Sequence, residues 1–286
     1  MKILLFKLFK KLARLLSGKG LGKLPILGYL WRLISILILE KTRPEHIFIN
    51  NHLMFLDNND SLGLSVYGVY EVDETKLFNN IIKEYDVVVD IGANIGYYTL
   101  LAAKKVGPSG RVIAFEPDPV NYLLLKKNII ANKYNNVVLV NKAVSDESCV
   151  LPLFLSSVNN GDHRLYDDGG HRDFVNVDSI SLDEYFKDNY KVDFIKIDAQ
   201  GAEGRILKGM KNVINCNKRL KILTEFWPDR LRACGVDPKE YIFSIQKYGF
   251  EAFDVEDRDF KNKLDYSKLI KDCSKHNFQK NILFVR

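Results

Sequence analysis

The feature that most constrains this chain is Val87-Val-Val-Asp-Ile-Gly-Ala-Asn-Ile-Gly96, an apolar, β-branched run that ends in an acid and breaks into glycines. An unbroken run of this kind reads as a strand buried on both faces, as in parallel sheets. Gly92 and Gly96 then permit a sharp turn and a close backbone approach that a side chain would block. A helical pattern follows at 96–106. Strand, glycine turn and helix in this order place a ligand at the carboxyl edge of the sheet. The spacing is D-x-G-x-N-x-G, and Asn94 stands where the dinucleotide fingerprint G-x-G-x-x-G requires glycine. A pyrophosphate needs that glycine cradle at the helix N-terminus. A nucleoside ligand without phosphate does not, and leaves Asp90 and Asn94 free to take part. Taken alone, the turn also fits a purely structural bend.

From about residue 85 onward, short apolar runs alternate with helical patterns, the sequence form of βαβ units. The runs lie at 87–91, 112–115, 137–140, 194–197, 222–226, 250–255 and 282–285, with helical patterns at 96–106, 119–132, 202–215 and 238–247. The first five read as parallel strands. A polar, Lys/Asp-rich stretch without a helical pattern joins the last two, which predicts a hairpin and one antiparallel C-terminal strand. The expected class is α/β, a Rossmann-like seven-stranded sheet with helices on both faces. Three parts are expected: an arm at 1–43, a lead-in segment at 44–84 and a core at 85–286. The lead-in should hold short strands near 46–56 and 64–70 and a helix at 73–84. At 286 residues and 47% hydrophobic, the chain can fill such a core, which excludes disorder. Cys149, Cys216, Cys234 and Cys273 include no CxxC pair, so free thiols in a reducing, cytoplasmic setting are expected.

The second run ends in Glu116, twenty residues after Gly96. An acid at that tip is placed to accept both hydroxyls of a ribose. With the preceding turn it predicts S-adenosylmethionine as cofactor and no NAD. Pro117 and Pro119 start the next helix. A third stretch, Asp193-Phe-Ile-Lys-Ile-Asp-Ala-Gln-Gly-Ala-Glu203, sets Lys196 inside a buried strand and Asp198 at its end. Charge there is costly unless paired, so Asp198 should face the cleft and Lys196 should meet a carboxylate. The plainer alternative for Asp198 is the N-cap of a helix from Ala202. A nucleobase amino-methyltransferase would carry Asn/Asp-Pro-Pro-aromatic here, and Asp-Ala-Gln-Gly disfavours it. His163, in the polar loop 159–166, is a candidate general base for a hydroxyl, although a loop histidine is more often simply solvated. Glu225 is a second candidate carboxylate, orienting substrate or pairing with His163 or Lys196. Tyr97 or Tyr98 is placed to present an aromatic face to a sulfonium. No metal-ligand set is assigned.

Several pieces occur in a familiar order: Gly68-Val-Tyr-Glu71, Asp90-Ile-Gly-Ala-Asn-Ile-Gly-Tyr-Tyr-Thr99, Phe115-Glu-Pro117, Ser181-Leu-Asp-Glu-Tyr185, Lys196-Ile-Asp-Ala-Gln-Gly-Ala-Glu203 with Leu207-Lys-Gly209, and Glu225-Phe226. On these, residues 64–286 resemble the FkbM family of S-adenosylmethionine-dependent methyltransferases. The resemblance implies a class I methyltransferase sheet and, mainly, O-methylation of hydroxyls on sugars, polyketides and related metabolites. The acceptor would be a small molecule, a sugar or a lipid-linked glycan. By position, Glu71, Asp90, Gly92, Asn94 and Glu116 would carry cofactor contacts. Gln200 departs from the family's usual Glu in Lys-Ile-Asp-x-Glu-Gly. If that carboxylate removes a proton or binds a metal, this chain lacks it. Two alternatives are a non-catalytic S-adenosylmethionine-binding protein in membrane assembly and an RNA ribose methyltransferase anchored by its basic arm.

Charge is distributed unevenly. Residues 1–43 hold ten Lys or Arg against one acid, a net +9, whereas the remainder carries −3. Such asymmetry points to an anionic partner. In residues 2–16, Lys7, Lys10, Lys11 and Arg14 form a basic stripe opposite Leu5, Leu8, Phe9, Leu12, Leu15 and Leu16. That pattern predicts a helix lying in an anionic membrane interface through residues 1–39, with a cap on the catalytic body as the plainer reading. Aromatic residues do not interleave with the basic ones, so nucleic acid is disfavoured. A second apolar stretch at 24–39 is too short to span and carries Arg32 near its middle.

Overall fold

The structure, a computed structural model, describes residues 2–16, 42–157, 159–167, 169–187, 190–256 and 262–286. The apolar stretch at 24–39 lies outside the described residues. The chain opens with α1 (Lys2–Leu16), the hairpin β1 (His46–Ile49) and β2 (His52–Phe55), then α2 (Leu64–Tyr67) and α3 (Val72–Ile81). Three units follow: β3 (Val87–Ile91) with α4 (Tyr97–Val106), β4 (Arg111–Phe115) with α5 (Pro119–Ala131), and β5 (Val137–Val140). A side sheet comes next, from β6 (Ala143–Val144), β7 (Val150–Phe154) and β8 (Phe174–Ile180). The chain continues through α6 (Leu182–Tyr185), β9 (Phe194–Ile197), α7 (Glu203–Lys208), α8 (Lys211–Cys216) and β10 (Lys221–Phe226). It ends with α9 (Pro228–Ala233), α10 (Pro238–Lys247), β11 (Glu251–Asp254), α11 (Tyr266–Asp272) and β12 (Lys280–Val285).

The main sheet has seven strands in the order β11-β12-β10-β9-β3-β4-β5. It is parallel from β5 to β10, and β12 runs antiparallel to both β10 and β11. The Rossmann-like class I architecture expected from the sequence, with its antiparallel C-terminal strand, is therefore present. Alternation along each strand splits the core into two layers. Val88, Val112, Phe194 and Leu223 pack beneath α3, α4 and α5, while Val89, Ile113, Ile195 and Ile222 pack against the helices on the other face.

Four local expectations need correction. Residues 64–67 form a helix and no strand, because Gly63 and Gly68 bracket them at φ 62° and 76° and close the chain on itself. The helical pattern at 202–215 is two helices broken at Gly209, where an added Cβ would lie 2.1 Å from the Ser145 carbonyl oxygen. The link between β11 and β12 does contain a helix, α11, capped by the Asp265 side chain and packed through Leu269 and Cys273. Finally, β8 pairs with β7 along Phe174–Ile180, a strand the sequence reading did not include.

Asn128 ties the lead-in hairpin to the core. Its side chain is fully buried, accepts from the Phe55 N–H at 2.7 Å and donates to the Ile95 and Phe55 carbonyls at 2.8 and 3.1 Å. We expect Asn128→Ala to cost about 1–3 kcal/mol, the range for leaving buried backbone groups unpaired. Denaturant unfolding checks this, and a change below about 0.5 kcal/mol, the size of an ordinary surface substitution, would contradict the assigned role.

Candidate active site

Strand register builds the site. Asp90 of β3 lies directly opposite Lys196 of β9, on the face that packs beneath α4. Both are buried, at 1% and 4% exposure. The Thr99 hydroxyl donates to Asp90 Oδ2 at 2.6 Å. Two residues further along β9, at the strand's end, Asp198 receives Lys196 Nζ on Oδ2 at 3.1 Å and Gln200 Nε2 on Oδ1 at 2.7 Å. Burial alone would discharge Lys196, but Asp198, Asp90 and Glu71 around it hold the ammonium above the usual lysine range. Lys196 Nζ also sits over the Tyr98 ring, 4.6 Å from its centroid. The face of Tyr98 offered to a sulfonium by the sequence reading is thus occupied by the protein's own cation.

The turns at the tips of β3 and β9 touch. Gly92 adopts φ 77°, and a Cβ there would lie 2.0 Å from the Asp198 carbonyl oxygen, so only glycine fits. Gly96 caps the start of α4 at φ 95°, and a Cβ there would lie 2.6 Å from Leu125 Cδ1. Gln200 itself is held at φ 53°, left-handed backbone that a side-chain-bearing residue adopts at a cost of roughly 1–2 kcal/mol. The turn is pinned beneath by Glu203, whose buried carboxylate accepts from the Ala199 and Gly201 N–H groups at 3.3 and 3.1 Å.

Two adjoining cavities open at this edge. Asp90, Gly92, Asn94, Tyr97, Glu116 and His163 are among the residues lining the first. Glu116 is buried, and its two oxygens accept from the Asn94 N–H at 2.7 Å and the Asp118 N–H at 2.9 Å. Burial pushes its pKa up to about 8. Tyr97 acts as a post, its hydroxyl meeting Asn50 Nδ2 and Thr75 Oγ1, both at 3.2 Å. Asp90 Oδ1 and Asn121 Oδ1 are buried here without a hydrogen-bond partner in the protein. Orphaned acceptors, a glycine turn with no room for a side chain and an acid at the β4 tip fit a polar nucleoside ligand, and hence S-adenosylmethionine.

Glu71, Glu74, Glu225, Trp227 and Arg230 help to line the second cavity, of about 440 Å³. Lys196, Asp198 and Gln200 line both. Glu71, expected at the cofactor, lies on the second cavity and accepts from the Tyr98 hydroxyl at 2.9 Å. Glu225 accepts from Gln279, and burial followed by its neighbours Asp198 and Glu203 pushes it up to about 8. Asp162 anchors the covering loop through Arg164, Arg172 and Arg230 at 2.9–3.0 Å. His163 lines the first cavity only. Its Nδ1 accepts from the Ser156 N–H at 3.0 Å, and burial lowers its pKa. The structure therefore brings Lys196, Asp198 and Glu225 together on the second cavity, and His163 shares the first cavity with Lys196 and Asp198. Sequence reasoning missed Tyr70, Trp227, Arg230 and Asn281, whose only signal was the composition of their loops and strand ends. Among the described residues, no group of three or more His, Cys, Asp or Glu side chains is placed to hold a metal.

The crowded carboxyls carry a pH signature. Burial raises Glu116, Glu225, Glu203 and Glu74 to about 8, 8, 7 and 9, Glu74 also feeling Glu71. Each keeps its proton in the fold at a pH where the unfolded chain has lost it, so stability falls as pH rises. His52, lowered to about 4 by burial and by Lys104, acts oppositely, but only below the ordinary histidine value of 6.5. We expect the melting temperature to decline from pH 6.5 toward 9, and the decline to flatten in Glu74→Gln and Glu225→Gln. A melting temperature rising across that window would contradict the arrangement.

Residues 90–252, more than half of the chain, match the family described as the methyltransferase FkbM domain. Methyltransferase sdnD of Sordaria araneosa is 27% identical over 189 residues, 51% of this chain and 73% of that protein. Hexuronic acid methyltransferase AglP of Haloferax volcanii is 28% identical over 173 residues, 59% of this chain and just under two thirds, 65%, of that protein. The crystal structure of methyltransferase FkbM from Methylobacillus flagellatus aligns at TM-score 0.42 and 14% identity, covering 91% of this chain and 60% of that one. The chain belongs to the FkbM family of S-adenosylmethionine-dependent methyltransferases.

Proposed function

We propose that the protein transfers a methyl group to a hydroxyl oxygen of a small-molecule or glycan acceptor. The observation that carries this reading is Asp198, a carboxylate held on both oxygens at the junction of the two cavities. In this reading the first cavity holds S-adenosylmethionine, with Glu116 toward the ribose hydroxyls and Asp90, Gly92, Asn94 and Gly96 shaping the turn around it. Bound there, the cofactor supplies an activated methyl group to an oxygen nucleophile. The second cavity receives the acceptor, and its carboxylates and amides suit hydroxyl groups that must be oriented by hydrogen bonds. Asp198 takes the hydroxyl proton as the oxygen is alkylated. Lys196 and Gln200 keep its carboxylate fixed toward the acceptor, and Glu225 orients the acceptor from the neighbouring strand. His163 serves the cofactor side. The similarity to a hexuronic acid methyltransferase supports a sugar-like acceptor.

Loss of a general base costs about 10²–10⁴-fold in rate. We expect Asp198→Asn to lose turnover on that scale with cofactor affinity intact, while His163→Ala keeps most of its turnover. Glu116→Ala should weaken cofactor binding by about 1–3 kcal/mol, the cost of leaving buried polar groups without their partner. Calorimetry with S-adenosylmethionine, and radiolabelled methyl transfer to a lipid-linked glycan fraction or to RNA, measure these effects. Label appearing in RNA, or undiminished turnover in Asp198→Asn, would overturn the reading.

A further inference from the structure

α1 uses only part of its apolar surface to hold on to the protein. Phe9 and Ala13 are buried, at 5% and 4% exposure, against Val66 of α2. Leu5, Leu8 and Leu12 stand 45%, 66% and 46% exposed. They follow i, i+3, i+7 spacing and so form one outward row on the helix. Lys7 and Lys11, one turn apart, are exposed beside that row. The sequence reading placed Phe9 on the same face as these leucines; the structure turns Phe9 inward and leaves the leucines facing out.

We propose that this face of α1 is a docked interfacial anchor that inserts Leu5, Leu8 and Leu12 among the acyl chains of an anionic bilayer, with Lys7 and Lys11 at the headgroups. Charge complementarity selects this occupant. A second copy of the chain on the same face would bring lysines toward lysines, whereas anionic headgroups attract them. The surrounding sequence strengthens the attraction, since residues 1–43 carry a net +9. At 15 residues α1 is shorter than the roughly 20 needed to span a bilayer, so its own contact is one of lying on the surface. The anchor is also placed to matter to the site. Val66, its docking partner, stands between Leu62 and Tyr70 in the chain, and both of those line the two cavities. Contact with a bilayer through α1 therefore keeps the cavity wall next to the membrane surface, where a lipid-linked acceptor would arrive. The anchor does not depend on the acceptor's chemistry, and either proposal can fail without the other.

The test is co-sedimentation of the full-length protein with phosphatidylcholine vesicles, with and without phosphatidylserine. We expect the protein to pellet with phosphatidylserine-containing vesicles and less so as salt rises, because exposed charges are screened over about 8 Å at physiological ionic strength. Leu5→Ser, Leu8→Ser and Leu12→Ser together should abolish pelleting. These side chains are exposed, so the melting temperature and calorimetric affinity for S-adenosylmethionine should stay unchanged in that variant. Lys7→Gln with Lys11→Gln should weaken binding by roughly thirtyfold, in line with about 1 kcal/mol per basic residue near an anionic surface. Equal, negligible pelleting with both vesicle types would overturn the proposal. So would unchanged pelleting of the leucine variant, or light scattering that shows a dimer dissolved by the leucine substitutions.

Discussion

The pairing of Asp90 with Lys196 across the central strands places an ammonium where the sheet would otherwise be apolar, and the carboxyl edge is organised around it. A charge buried to this degree persists only if neighbouring groups compensate it. Here Asp198, Asp90, Glu71 and Glu74 surround it, and the aromatic face of Tyr98 closes one side. The arrangement has a geometric consequence. Because β9 lies between β3 and β10, the same lysine that meets Asp90 inside the sheet reaches Asp198 at the strand's end and so fixes that carboxylate beside the glycine turn.

Around this centre the edge divides into two environments. On one side, backbone N–H groups hold Glu116, the turn has no room for side chains, and orphaned oxygens of Asp90 and Asn121 await a partner. On the other, carboxylates and amides from the lead-in segment, β10 and β12 line a larger and more acidic space. Asp198 and Gln200 form the boundary. The strained backbone of Gln200 is the kind of local cost that folds retain where a side chain must be aimed. The amide donates to Asp198 where a carboxylate at this position would repel it, a plain physical role for Gln200.

The sheet was legible because parallel strands read as continuous apolar runs and their order follows from the βαβ pattern. Glu116 and Asp198 stand at strand tips in the sequence pattern, and the structure sets both on the cavities at the carboxyl edge. What escaped was set by contacts distant in sequence. The Gly209 break depends on the Ser145 backbone, and α2 depends on two glycines closing around buried Leu64 and Val66. His163 reads as a base from its loop alone; in the structure its Nδ1 accepts from the Ser156 N–H and the ring lines the first cavity. Trp227, Arg230 and Asn281 reach the second cavity from three separate places, the end of β10, α9 and β12, which no single local pattern joins. On α1, the amphipathic pattern was visible, but the choice of which apolar residues face the protein belongs to Val66.

The most direct test of the central claim is a crystal structure of the protein with S-adenosylhomocysteine, the product of the transfer. The account predicts the ribose hydroxyls on Glu116 and the sulfur directed across the boundary toward Asp198 and the second cavity. A complex in which the sulfur faces His163, away from Asp198, or in which the ribose leaves Glu116 untouched, would contradict it.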